Sequence, residues 1–192
     1  CVLEHRVIFR SGAHVYPVGT LGTAHHIGGF VQGNQLVHDA FVEYVTSQIK
    51  PKQRVLELFS GSGPFTIKLL ESECTVLALE GSVDACEVLK SAARKWVVRN
   101  RLEVRRERIV GIPAGQFDVC LLDPPRAGAK TLVSGLKPDR IKRIVYVACD
   151  FGTLMRDLAI LNQNGYRVRT ARLFEMFPNS GHVECVVILD GP

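Results

Sequence analysis

The chain has 192 residues, is 46% hydrophobic and carries a formal charge of +5 with a pI near 9.0, enough apolar material to bury one sizeable core. No apolar run approaches the roughly 18 residues a spanning helix needs, and no signal peptide is visible, which argues against a membrane protein. The moderate basic balance is compatible with a polyanionic partner such as RNA.

The six cysteines, Cys1, Cys74, Cys86, Cys120, Cys149 and Cys185, form no C-x-x-C pair. A structural zinc or iron–sulfur site is therefore not expected, and no metal is assigned. Single cysteines scattered through apolar strands suit a reducing, cytoplasmic compartment better than a disulfide framework. His25 and His26 lack a supporting ligand pattern and read as loop residues.

Residues 1–33 are rich in Gly, Val and His without long periodicity, which predicts short strands and loops. The first residue is Cys1 rather than Met, so these residues are read as an extension leading in from a missing N-terminal region, with one domain over 34–192. Gln32 would lie just before a helix, since Leu36, Val37, Phe41, Val42 and Val45 follow at helical spacing.

Arg54–Phe59 reads as a strand, Ser60–Phe65 as a Gly-x-Gly turn and the residues through Leu70 as a helix. That order lets backbone N–H groups and a helix N-terminus approach a cofactor. A second strand, Thr75–Leu79, ends in Glu80, 19 residues after Gly61, where a carboxylate can accept both hydroxyls of a ribose. The third glycine of a dinucleotide fingerprint is absent. A ribose acceptor without a pyrophosphate cradle fits S-adenosyl-L-methionine better than NAD.

A helix is predicted from Val83 to about Val98 and a short strand near Leu102–Arg106. The cluster Arg94, Lys95, Arg99, Arg101, Arg105, Arg106 and Arg108, with Trp96 among them, is either a solvated face or a phosphate-tracking surface. Phe117–Leu122 is the next strand. Pro124 and Pro125 cannot continue a central strand, so the chain leaves the sheet with Asp123 at its edge. An Asp-Pro-Pro turn there suggests a methyltransferase acting on a base or amine.

The following strand, Ile144–Val147, runs into Ala148 and Cys149, and a helix is expected from about Thr153 to Asn162. A cysteine at that junction sits at the carboxyl edge of the sheet, where ligands bind in open α/β folds; alternatively it is one more buried small residue. Strands near Tyr166–Leu173 and His182–Leu189, joined by a loop without a helix, should pair antiparallel. The expected fold is α/β, a Rossmann-like methyltransferase sheet, mostly parallel with an antiparallel last strand.

Three segments together resemble the S-adenosylmethionine-dependent RNA uridine-C5 methyltransferases. They are Asp123-Pro124-Pro125-Arg126-Ala127-Gly128, Tyr146-Val147-Ala148-Cys149-Asp150-Phe151-Gly152-Thr153, and Glu175-Met176-Phe177-Pro178-Asn179-Ser180-Gly181-His182-Val183-Glu184. Their order and intervals match the family from about residue 30 to the C-terminus. The resemblance implies methyl transfer to C5 of a uridine in tRNA or rRNA by a monomeric enzyme, with Cys149 as nucleophile and Glu184 as base. It also implies that Gln32, Phe59 with Gly61 and Gly63, Glu80 and Asp123 bind the cofactor. An antiparallel last strand would bring Cys149 and Glu184 to one edge. The family's N-terminal OB-like domain and iron–sulfur region have no counterpart here, so the recognition domain is expected elsewhere.

The chain departs from the family pattern in four places. Pro64 replaces a cofactor-binding Asn, and no Asn or Asp aligns near Arg108 for the adenine. Ala148, Asp150 and Phe151 replace Ser-Asn-Pro around the cysteine, and Glu175 replaces an Asp. Asp150, if close, would raise the Cys149 pKa. Two rival readings follow: an N-methyltransferase working on an exocyclic amine, and a non-catalytic RNA- or cofactor-binding domain with a drifted site.

Overall fold

The computed structural model describes residues 8–10, 13–18, 23–26, 35–94, 100–175 and 183–192. Gln32, Trp96 and the 176–182 segment lie outside them, so their predicted roles are not placed by the structure. Strands β1 (Ile8–Arg10), β2 (Ala13–Val18) and β3 (Thr23–His26) form a small antiparallel sheet in that order.

Helix α1 (Gln35–Ser47) follows, burying Phe41, Val42 and Val45 at the predicted helical spacing. Strand β4 (Arg54–Leu58) is buried on both faces after its first residue, as expected of a central parallel strand, and α2 (Pro64–Glu71) returns the chain. Next come β5 (Thr75–Glu80), α3 (Val83–Ala92), β6 (Leu102–Arg106), β7 (Phe117–Leu122), α4 (Lys130–Ser134), β8 (Ile141–Ala148), α5 (Phe151–Gln163), β9 (Arg167–Glu175) and β10 (Val183–Asp190).

These strands form one seven-stranded sheet in the order β6-β5-β4-β7-β8-β10-β9. Pairs from β6 through β8 are parallel, while β10 runs antiparallel to both β8 and β9. The strand order reverses between β4 and β7, and it is at the carboxyl ends of the strands at such a switch point that an α/β sheet binds its ligand. One apolar cluster packs α1 and α2 on one face through Phe41, Phe65, Leu69 and Phe174. The other packs α4 and α5 on the opposite face through Leu132, Leu136, Tyr146 and Leu161.

Several predicted boundaries shift. Helix α3 ends at Ala92, where Ala93 with φ −88° and ψ 5° closes the last turn through its N–H, and the predicted helical stretch toward Val98 falls largely outside the described residues. Strand β8 starts at Ile141, earlier than the predicted Ile144, and ends at Ala148, so Cys149 stands in the turn at the predicted strand-to-helix junction. Helix α5 begins at Phe151 because Asp150 caps it. Strand β9 continues to Glu175, paired with Val183, where a loop was expected from Phe174 onward.

Candidate active site

The loop after β4 is shaped by backbone geometry. Phe59, Gly61 and Gly63 all adopt positive φ (64°, 54° and 89°), a conformation that costs a non-glycine residue energy and is held only where the surroundings fix it. Two N–H groups fix Phe59 and Ser60 by donating to the Leu79 carbonyl of the neighbouring strand, at 3.0 and 3.2 Å. At Gly63 glycine is required twice over, because a Cβ there would also stand 2.3 Å from Leu89 Cδ1. Gly63 caps α2 without a side-chain acceptor, and Pro64 takes the first helical position, where no N–H is needed. The departure from Asn thus removes a side chain, while Pro64 suits the first position of the helix.

Glu80, at the tip of β5, is held by that same loop. Gly61 N–H donates to Oε2 at 2.9 Å and Ser82 N–H donates to Oε1 at 2.7 Å. Each oxygen keeps lone-pair capacity beyond these bonds, so the carboxylate is oriented without being used up.

One acid in this region is not singled out by the sequence motifs. Glu57 is 1% exposed within β4, and Thr66 Oγ1 donates to its Oε2 at 2.6 Å. Burial pushes its carboxyl up to about 8, with the Asp123 charge adding to the rise and the Thr66 bonds opposing it. Its Oε1, and the hydroxyl of the neighbouring Ser60, are buried without a hydrogen-bond partner. Orphaned buried polar atoms in a cofactor-type loop call for a polar ligand or water. The available signal was a lone acid inside the apolar run Val55-Leu56-Glu57-Leu58.

Across the strand-order reversal stand the other predicted groups. Asp123 follows β7 directly, and its N–H donates to Leu58 O at 3.3 Å. Burial, then the Glu184 charge, pushes its carboxyl up to about 7. Cys149 is a free, partly exposed thiol at the end of β8. Because Cys185 pairs with Ala148, the antiparallel register sets Glu184 beside Cys149. Burial raises the Cys149 thiol, the charges of Glu184 and Asp123 raise it further, and the Arg126 guanidinium lowers it. Glu184 is raised by burial and lowered by Arg126.

Asp150 behaves otherwise than its position suggested. Thr153 N–H donates to Asp150 Oδ1 at 2.8 Å and Thr153 Oγ1 at 3.0 Å, so the carboxylate caps α5 and is held below its usual range. The carboxylates that oppose the thiolate come instead from β10 and from the loop after β7. Arg126, quoted in the sequence only as part of its turn, is the cation acting on Cys149, Asp150 and Glu184 alike.

The arrangement therefore joins a Gly-x-Gly loop and a ribose-type acid to a thiol whose ionisation is opposed by the neighbouring Glu184 carboxylate. Among the described residues, no group of three or more His, Cys, Asp or Glu side chains could hold a metal ion. No helix among them is long and apolar enough to cross a membrane.

The sheet order and its reversed last strand are those of the Rossmann-like methyltransferases. A solved magnesium protoporphyrin IX methyltransferase from Synechocystis shares this fold, with a TM-score of 0.67 over 86% of this chain and 91% of its own, at 14% identity. A narrower grouping follows from the sequence: residues 23–191 match the family described as tRNA (uracil-5-)-methyltransferase, and the chain belongs to it.

The 23S rRNA (uracil(1939)-C(5))-methyltransferase of Dechloromonas aromatica is 34% identical over 174 residues, which is 85% of this chain and 40% of that protein. The Pyrococcus abyssi tRNA (uracil-54, C5)-methyltransferase, solved with S-adenosyl-L-homocysteine, superimposes with a TM-score of 0.76 at 28% identity. That match covers 86% of this chain and 41% of the other. The chain spans about 40% of the length of such relatives.

Proposed function

We propose that this chain is the catalytic portion of an RNA uridine-C5 methyltransferase that uses S-adenosyl-L-methionine. The observation that carries the reading is that the antiparallel register of β10 on β8, which pairs Cys185 with Ala148, brings Glu184 and Cys149 to one sheet edge. Membership of the family supports it. Within the proposal, residues 34–192 form the catalytic domain. Residues 1–33 lead into it from a further region that would recognise the RNA.

The sheet's carboxyl edge has the donor set for the cofactor. Glu80 would take the ribose hydroxyls, the Phe59–Gly63 loop would approach through its backbone, and Asp123 would stand near the charged end. Gln32 is assigned by resemblance. The unpartnered Glu57 Oε1 and Ser60 Oγ fit a polar ligand at the same loop. Bound there, S-adenosyl-L-methionine supplies an electrophilic methyl group on a cationic sulfur.

Uracil C5 is too weak a nucleophile to be methylated directly. Cys149 Sγ, as thiolate, adds to C6 and makes C5 enolate-like. Arg126 favours that thiolate against the opposing charges of Glu184 and Asp123. Once C5 carries the methyl group, the Glu184 carboxylate removes the C5 proton. The electron pair restores the C5–C6 double bond and the C6–Sγ bond breaks, so the enzyme sulfur leaves unchanged. Burial raises the Glu184 carboxyl, which makes its carboxylate a stronger base for that proton. A base inside a duplex cannot reach the groups, so the uridine must be unpaired or flipped.

Replacing Cys149 by Ala tests the assignment. With S-adenosyl-L-methionine and RNA, the variant should lose 5-methyluridine formation, measured by mass spectrometry of digested RNA, by at least about a thousandfold. Retained methylation would favour transfer to an exocyclic amine, and no cofactor binding by the unsubstituted protein would favour a drifted, non-catalytic domain.

A further inference from the structure

Three side chains on successive turns of α5 hold the loop that follows β7. Thr153 Oγ1 donates to the Arg126 carbonyl at 3.0 Å, and Arg156 Nη2 donates to the Ala127 carbonyl at 2.9 Å. Ala129 N–H donates to Asp157 Oδ2 at 2.6 Å. Asp157 is 0% exposed and accepts two further bonds, from Tyr146 Oη at 2.7 Å and from Arg156 Nε at 2.8 Å. Gly128 passes directly over this group at φ 72°, where a Cβ would stand 2.5 Å from Arg156 Nη2 and 2.7 Å from Asp157 Oδ2.

The network bears directly on the site. Tyr146 lies on β8 three residues before Cys149, and α5 starts two residues after it. Asp157 therefore ties together the strand that delivers the sulfur, the helix that leaves it and the loop that carries Asp123 and Arg126. A buried carboxylate with three donors is costly to assemble and over-determines its neighbours once assembled.

We propose that Asp157 is a positioning residue, which holds the Asp123–Ala129 loop against β8 and α5 and thereby sets where Arg126 stands relative to the Cys149 sulfur. The proposal rests on Cys149 being the reacting sulfur. The charges acting on that sulfur are Glu184 from β10 and Asp123 and Arg126 from the loop, while Asp150, next in the chain, spends its carboxylate on the α5 cap. Of these, only Arg126 favours the thiolate; Asp123 is anchored separately, its N–H donating to the Leu58 carbonyl, so loosening the α5 ties at residues 126–129 releases Arg126 and leaves the carboxylates in place.

Alkylation of Cys149 by iodoacetamide as a function of pH, followed peptide by peptide by mass spectrometry, reads the ionisation of the sulfur without any methyl transfer. In Asp157→Asn the midpoint of the profile should rise by about half a unit, a roughly threefold loss of thiolate below it. Arg126→Ala should shift it likewise, and the double variant should shift no further than Arg126→Ala alone, because both act through one guanidinium. Thr153→Val removes the hydroxyl bonds to the Arg126 carbonyl and to Asp150 Oδ1, while the Thr153 N–H keeps Asp150 on the helix cap. It should move the midpoint the same way by less, and it decides the matter if Asp157→Asn fails to fold. An unmoved midpoint in Thr153→Val and in any folded Asp157→Asn protein, or shifts that add in the double variant, overturns the proposal. If the midpoints shift as expected while Cys149→Ala still forms 5-methyluridine, the positioning role stands and the nucleophile assignment falls.

Discussion

At the scale of single residues, Glu57 is an acid buried in β4 with one oxygen left unpartnered. It sits inside a central parallel strand, where an apolar residue would pack at no electrostatic cost. Below about pH 4.5 both the folded and the unfolded chain hold its proton. Above that, the unfolded chain releases it while the folded chain keeps it up to about pH 8. The folded state then binds more protons, so stability falls as pH rises through this window and levels off above it. Asp123, raised to about 7, acts in the same direction over a lower window. Glu57→Gln, an uncharged near-isostere, should therefore raise the melting temperature at pH 8 by about 5 °C and leave it nearly unchanged at pH 5. Differential scanning calorimetry at the two values checks this; equal effects at both would show that Glu57 is not holding its proton.

At the scale of elements, the turn after β4 is the piece most sensitive to substitution. Gly63→Ala places a methyl group on Leu89 and forces a left-handed conformation on a residue that disfavours it. The expected loss is about 1–3 kcal/mol of stability, with S-adenosyl-L-methionine affinity reduced at least about tenfold, as the loop and α2 N-terminus are displaced. Calorimetric titration of the folded variant measures it, and unchanged affinity would remove the loop from the cofactor site.

Elements with strong local patterns are legible in the amino-acid sequence. The run Val55–Leu58, the spacing of Phe41, Val42 and Val45, and the helix-free link between β9 and β10 each carry their own signal. What the sequence conceals depends on contacts between residues distant along the chain. The direction of the Asp150 side chain follows from a cap on Thr153, which its adjacency to Cys149 hides. Asp157 looks like any helix acid until β8 and the β7 loop close over it from 11 and 28 residues away. Arg126 lies in a recognisable segment, but its action on Cys149 and Glu184 arises only when three elements meet.

For the molecule as a whole, strand order is what makes chemistry possible. Cys149 and Glu184 are far apart in the chain, and parallel addition of β10 would leave them at opposite ends of the sheet. The reversed β10 brings them together near the β4–β7 switch point, so one edge holds the Gly-x-Gly loop, the thiol and the Glu184 carboxyl. The central claim, covalent addition of Cys149 to the target ring, is open to a direct measurement. The protein is incubated with S-adenosyl-L-methionine and RNA in which uridines are replaced by 5-fluorouridine, whose C5–F bond cannot be broken by proton removal. A denaturation-resistant protein–RNA complex should accumulate, with the nucleotide mass mapped to the peptide containing Cys149. Absence of that complex from protein that methylates ordinary RNA, or attachment at a different residue, would contradict the account.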